Sequence, residues 1–358
     1  MGLLITWLAP KDNIVAYATH DRGDIDMQPI TRPIRWGILG TGAIAAAFAN
    51  SLRHVTDTTL FAVGSRGQTS ADDFAQTHDV DRAYASYSEL VADPDVDVVY
   101  VATPHTAHFE NTMLCLGAGK HVLCEKPFAL NSAQIKKMVA LAKCNGLFLM
   151  EAMWMRFIPL IVELQRRIKA GEIGQVQMIQ ADFGFRAPLN PQSRLFNPAL
   201  AGGALLDLGI YPLAFSALLL GNPEEICSLA HVGTTGVDEQ SAYVLKHKGG
   251  ELSVLASALR TQTSMSAWVY GTHGRIHLPK QFWRAKEMVL YRNEVEPESI
   301  LMPYAGSGYQ FEAQEVVDCL RSGKTESDIM PLCDSESLME TMDTIRRQWG
   351  LTYPNESQ

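Results

Sequence analysis

The chain has 358 residues, 47% of them hydrophobic and 19% charged, which suits two folded domains of roughly 100–200 residues and excludes extensive disorder. A formal net charge of −9 and a pI near 5.6 leave no basic face for a nucleic-acid partner. Six cysteines, Cys115, Cys124, Cys144, Cys227, Cys319 and Cys333, show neither a CxxC pair nor metal-ligand spacing. They read as thiols of a reducing, cytoplasmic compartment with no bound metal, and no apolar run is expected to reach the ~18–20 residues of a membrane span.

Residues 1–33 precede the first regular element and are expected to form a flexible N-terminal extension. They lack the basic region and cleavage site of a signal peptide; "MGLLIT" matches a myristoylation pattern without a polybasic partner, and Met27 offers an alternative start. From Ile34, strand-like and helix-like runs alternate: "IRWGIL", "AIAAAFANSLRH", "TLFAVGS", a helix near Asp72, a short helix opened by Ser86 with Glu89 three residues on, then "DVVYVAT". "HFENTMLCLGAG", "HVLCE", "SAQIKKMVALAKCNG" and "LFLME" continue the alternation. Residues 34–150 are therefore expected to form a Rossmann-type doubly wound parallel sheet. After Glu151 one helix leads into strand-like runs such as "QVQMIQADFGF", "SAYVLKHK" and "ELSVLASAL", with helices returning only near the C-terminus. Residues 151–358 are expected to form an α+β domain with an open, mostly antiparallel sheet, giving an α/β protein of two domains.

The first strand runs into "GTGAIA", where Gly40, Gly42 and Ala45 hold the G-x-G-x-x-G/A positions, with Thr41, Ala43 and Ile44 filling the turn and helix start. The first glycine permits the tight turn, the second lets backbone approach a pyrophosphate, and the helix N-terminus faces the phosphates. The second strand ends "VGSRG", with Ser65 and Arg66 where an NAD enzyme places a carboxylate against the ribose. A hydroxyl and a guanidinium there suit a 2′-phosphate, which favours NADP; NAD is the alternative, with Arg66 merely covering the adenine.

"VATPHTAHF" puts Thr103, Pro104, His105 and His108 at the carboxyl edge of the sheet. "LCEKPFAL" puts Glu125 and Lys126 at the same edge, and Glu151 and Trp154 follow the next strand, so these groups are expected to share one crevice. Each histidine alone suits a polar loop or cap, whereas a desolvated lysine beside a nicotinamide can bind a reacting oxygen and move a proton. In "AGGALLDLGIYPL", Asp207 and Tyr211 lie four apart and share a helix face, behind Gly202 and Gly203.

Taken in order, "GILGTGAIA", "TPHTAH", "CEKPFAL", "LFLMEAMWMRF" and "GGALLDLGIY" resemble the Gfo/Idh/MocA oxidoreductases from about Ile34 to the last helix. Within that family, "MEAMWMRF" and the tyrosine closing D-x-x-x-Y resemble the branch of dimeric dihydrodiol dehydrogenases and NADP-dependent D-xylose dehydrogenases. The resemblance implies that Lys126 is catalytic, with Tyr211 where inositol dehydrogenases carry a histidine. It also implies a homodimer or higher homo-oligomer and a small sugar, polyol or trans-dihydrodiol substrate. The expected roles are Tyr211 as proton acceptor, its phenol lowered from about 10 by the Lys126 ammonium, and Asp207 as the orienting acid. The reverse division, with Lys126 carrying the proton, stays open. Trp154, Arg156, Phe183 and Arg186 are candidates for lining the substrate pocket, and the strands between Glu239 and Tyr270 offer an apolar face for self-association. Two other readings remain: an NAD-dependent sugar or inositol-like dehydrogenase, and a non-catalytic dinucleotide-sensing regulator that need not keep Lys126, Asp207 and Tyr211.

Overall fold

Six parallel strands open the fold in this computed structural model, which describes residues 27–354 and 356. They are β1 (Ile34–Leu39), β2 (Thr58–Gly64), β3 (Arg82–Tyr84), β4 (Val98–Val101), β5 (His121–Glu125) and β6 (Leu149–Ala152), in the order β3-β2-β1-β4-β5-β6. Helices α1 (Ala43–Leu52), α2 (Gln68–His78), α3 (Tyr87–Ala92), α4 (His108–Gly117) and α5 (Ser132–Asn145) make the crossovers. Every residue of β4 is buried, as expected where helices cover both faces of a parallel sheet. Phe48 of α1 stacks on Tyr100 of β4 at 3.8 Å between ring centroids. The order reverses between β1 and β4, and at such a switch point the loops beyond the strand ends diverge and leave a crevice.

The Ser86 hydroxyl accepts from the Glu89 amide at 3.1 Å, capping α3 as its spacing foretells. Of the N-terminal extension, residues 1–26, with the myristoylation pattern, lie outside the described residues. Residues 27–33 rest on the chain: the Ile30 amide donates to the Leu320 carbonyl at 3.3 Å, and Arg32 pairs with Asp97 at 2.6 Å.

Beyond β6, α6 (Pro159–Lys169) leads to an eight-stranded sheet ordered β14-β13-β12-β11-β7-β10-β9-β8. Its strands are β7 (Val176–Gly184), β8 (Glu225–Val232), β9 (Asp238–Lys246), β10 (Leu252–Ala258), β11 (Ala267–Gly271), β12 (Gly274–Leu278), β13 (Glu287–Arg292) and β14 (Glu298–Leu301). Only β7 and β10 pair in parallel; the other neighbours are antiparallel. Helices α7 (Ile210–Leu220) and α9 (Leu332–Trp349) cover one face, and α9 also packs on α5 and β6, tying the two sheets together, while α8 (Tyr309–Arg321) returns to pack on α1.

One expectation is corrected here. The segment Pro198–Leu220 is long and apolar enough to cross a membrane: its most apolar 18-residue stretch has a mean hydropathy of 1.7, and 78% of that stretch is buried inside the protein. Its apolar character follows from packing against β7 and β10, which leaves α7 without a polar face.

Candidate functional site

A cleft of about 820 Å³ lies at the carboxyl ends of β1, β2, β4 and β5 and runs across to α7. Its floor at one end is the glycine turn. Gly40 has φ +103°, and a Cβ there would stand 2.9 Å from the Ala102 carbonyl oxygen. Gly42 caps α1 without any side-chain hydrogen bond, so the first-turn amides near Ala43 and Ile44 are free to meet an anion along the cleft wall. Ser65, Arg66 and Tyr87 line the same end, with Arg66 exposed and the Ser65 hydroxyl 2.6 Å from that of Ser70. The acids lining the cleft, Glu125 and Asp207, both stand at the Lys126 end, leaving Arg66 a phosphate-compatible environment. This cradle fits a dinucleotide.

At the other end, Lys126 leaves β5 and reaches the second half of the molecule. Its Nζ lies 2.9 Å from the Asp207 carbonyl oxygen, 3.2 Å from Asp207 Oδ1 and 4.9 Å from the Tyr211 ring centroid. Three groups hold the loop that carries it. The Lys126 amide donates to Glu125 Oε2 at 3.1 Å, the Phe128 amide to Glu151 Oε1 at 3.0 Å, and His108 Nδ1 lies 2.7 Å from the Pro127 carbonyl. His108 Nε2 faces the Thr103 carbonyl at 2.8 Å, so this buried ring joins the strand ends that carry Thr103 and Lys126.

Asp207 sits in a π-helical turn, Leu205–Gly209, that runs into α7 and Tyr211. Asp238 at the start of β9 anchors this turn, accepting the Leu205 amide at 2.7 Å. Gly203 has φ +122°, and a Cβ there would collide with Asp238 Oδ1. Arg194, from the loop after β7, donates to Asp207 Oδ2 at 2.9 Å and lines the cleft. Behind Tyr211, Trp154 Nε1 donates to the phenol oxygen at 2.8 Å while its ring lies 4.7 Å from that of Tyr309. Phe183 stacks on Trp283 at 3.6 Å and tilts toward Tyr211 at 5.6 Å.

The structure thus brings Lys126, Asp207 and Tyr211 together with the glycine turn, Ser65, Arg66, Thr103, Pro104, His105, His108 and Glu125 along one cleft. It places other expected residues differently. Trp154 and Phe183 form a layer supporting Tyr211, and Glu151 braces the back of the lysine loop. Arg156 is not a pocket residue: its 3₁₀ turn, Trp154–Phe157, sends it inward to Asp334 at 2.5 Å and the Ile329 carbonyl at 3.2 Å. Arg186 is exposed, in an isolated bridge with Arg260. Sequence reasoning missed Arg194, Tyr309, Asp238 and Glu312, which reach the site from segments with no local signature.

Burial determines much of the electrostatics. Burial alone would raise Asp207, but Lys126 and Arg194 hold its carboxyl well below the usual range, so it is an anion. Burial pushes His105 down to about 3, making it a neutral ring. The Tyr211 phenol departs from expectation: burial, then the charges of Glu125 and Asp207, push it well above its ordinary value, with the Trp154 hydrogen bond opposing. The reason is positional, since the Lys126 ammonium is paired with Asp207 and faces the tyrosine ring. With the phenol kept neutral by that rise, Tyr211 and the Lys126 side chain offer two donors suited to one substrate oxygen.

Comparison with known proteins agrees with this geometry. A family model described as "Oxidoreductase family, NAD-binding Rossmann fold" matches residues 34–153, and one for the GFO/IDH/MocA C-terminal domain matches residues 161–277. The chain is 37% identical to trans-1,2-dihydrobenzene-1,2-diol dehydrogenase of Mus musculus over 334 residues, covering 91% of this chain and 99% of the relative. The Homo sapiens relative of the same name is also 37% identical with the same coverage. Among solved structures, a 3-ketoreductase from Actinomadura kijaniata in complex with NADP and TDP-benzene aligns with a TM-score of 0.79 at 26% identity, covering 88% of this chain and 98% of that one. The aldose-aldose oxidoreductase of Caulobacter crescentus shares the fold, with a TM-score of 0.81 at 24% identity and coverage of 89% and 98%.

Gly40→Ala tests the cradle. The added methyl meets a carbonyl and a disfavoured φ, so dinucleotide binding followed by calorimetry should weaken by more than tenfold while the protein stays folded. Undiminished binding would contradict the placement of the phosphates.

Proposed function

The chain belongs to the Gfo/Idh/MocA oxidoreductase family and is an NAD(P)-dependent dehydrogenase, and from that premise we propose that it uses NADP to interconvert a secondary hydroxyl or lactol and its oxidised form on a small diol or sugar. The observation that carries the reading is the convergence of Lys126, Asp207 and Tyr211 at the end of the glycine-turn cleft. The dihydrodiol dehydrogenase relatives favour a trans-dihydrodiol. A non-catalytic sensor would have no use for this constellation. Assays with NADP across trans-dihydrodiols, pentoses and hexoses test the reading: turnover of a diol or sugar is expected, and none with any of them would overturn it.

When bound, the nicotinamide supplies hydride exchange with the substrate carbon. Gly40, Gly42 and the start of α1 hold the pyrophosphate, and Ser65 and Arg66 hold the 2′-phosphate. Lys126 binds the substrate oxygen through its ammonium, which Asp207 keeps in place. Tyr211, a neutral phenol at rest, donates its proton to that oxygen during carbonyl reduction. During alcohol oxidation the same phenol must first be deprotonated. Arg194, which lines the cleft and pairs with Asp207, is placed to meet the neighbouring hydroxyl.

We also read the uncovered face of the eight-stranded sheet as a homodimer interface. It exposes Leu229, Val244 and Val254 at 81%, 43% and 41%, beside Trp268 stacked on Tyr291 at 5.9 Å. Exposed apolar side chains gathered on one sheet face mark a contact surface, and two-fold pairing is its simplest closure. The described cysteines are all free, which suits a cytoplasmic enzyme.

Replacing Arg66 with alanine should weaken NADP far more than NAD, by about 1.5–3 kcal/mol for a lost charge-assisted contact; equal effects on their KM values would remove Arg66 from the phosphate. The raised phenol predicts that alcohol oxidation increases with pH into the alkaline range while carbonyl reduction persists at neutral pH. Trp154→Phe, which removes the hydrogen bond that lowers the phenol, should move the rising limb to higher pH; a downward shift would contradict the assignment. Sedimentation at micromolar concentration should give a dimer, and a monomer would overturn the interface.

A further inference from the structure

Glu312 stands in the first turn of α8, three residues after the cleft residue Tyr309 and on the same helix face. It is fully buried, and neither carboxylate oxygen has a hydrogen-bond partner. An ionised carboxylate so placed is an uncompensated charge in a low-dielectric interior, a cost that a carboxylic acid largely avoids.

Glu125 at the end of β5 is provided for differently. Burial raises its carboxyl too, but the Lys126 charge, the Tyr100 hydroxyl donating to its Oε1 and the Lys126 amide donating to its Oε2 temper that rise and favour the anion, a compensation that Glu312 lacks. The titratable groups whose charges couple to Glu312 are Glu125 from β5, Tyr100 from β4, Tyr211 from α7 and Tyr309 on its own helix. None of these is a cation.

We propose that Glu125 and Glu312 form a buried acid pair behind the Lys126–Tyr211 site that shares one proton, Glu312 carrying the proton and Glu125 the charge, and that this pair controls how readily Tyr211 gives up its own proton. Two carboxyls in one apolar site do not both ionise cheaply, and the member without donors keeps the proton. Burial pushes the Glu312 carboxyl well above its usual range, and the charge of Glu125 adds in the same direction. When Glu312 finally ionises at high pH, a second negative charge faces Tyr211 and raises the phenol further. Glu312 is thus a positioning residue acting through Tyr211, and this functional consequence rests on the reading of Tyr211 as the proton-transferring group.

Infrared spectroscopy of the ligand-free protein tests the pair without any assay. Glu151 and Asp238, both buried and pushed up to about 7, give similar signals, so the measurement is a difference between variants. At neutral pH, wild type minus Glu312→Gln should show the carbonyl band of a protonated carboxylic acid. In Glu125→Gln that band should persist and disappear at lower pH than in wild type, because the repelling neighbour is gone. No difference band, or an unmoved midpoint in Glu125→Gln, would overturn the pair. In the kinetic arm, the rising limb of alcohol oxidation in Glu312→Gln should shift down by roughly one pH unit. A lower rate with an unshifted limb would make Glu312 merely structural and overturn its control of Tyr211. Absence of any NADP-linked turnover would strike the functional reading alone and leave the infrared result to decide the pair.

Discussion

The contact between Lys126 and Asp207 is the constraint on which the site depends. Lys126 ends a strand of the parallel sheet, Asp207 begins the helix beneath the second sheet, and the ammonium binds both the carbonyl and the carboxylate of Asp207 at 2.9 and 3.2 Å. Side chains here are about one-tenth exposed, so the pair is little screened by water. Because one partner comes from each half, the cleft is complete only when the halves are docked. The surrounding structure is arranged to hold the pair: His108 and Glu151 brace the lysine loop, and Asp238 anchors the turn that carries Asp207.

Holding the ammonium on Asp207 has a chemical consequence. It leaves the Tyr211 hydroxyl among acids and aromatic rings, with Trp154 Nε1 as the donor that eases its ionisation. The resting site is then a donor site, arranged for an oxygen that gains negative charge.

Much of this was legible in the sequence where backbone demands are strict. The glycine turn after β1 and the lysine at the end of β5 are dictated by strand ends and a tight turn, so their places follow from pattern and spacing. Arg194 and Tyr309 were not legible, since a loop arginine and a tyrosine opening a helix look the same wherever the chain later folds. Arg156 shared a promising motif with Trp154, yet its turn sends it to Asp334. The direction of the Tyr211 shift was misread because it depends on burial and on acids far apart in the chain, Glu125 and Glu312 among them. Strands β12, β13 and β14 escaped notice as well, being short and interleaved with charged residues.

The central claim is that Lys126 and Tyr211 act on one substrate oxygen as a single unit. A double-mutant cycle on kcat for carbonyl reduction, using Lys126→Met, Tyr211→Phe and the pair, tests it most directly. Each single change should lower kcat about 10²–10⁴-fold, and the double variant should be little worse than either. Fully additive losses, the double variant falling by the product of the two, would contradict a shared oxygen and separate the roles of the two residues.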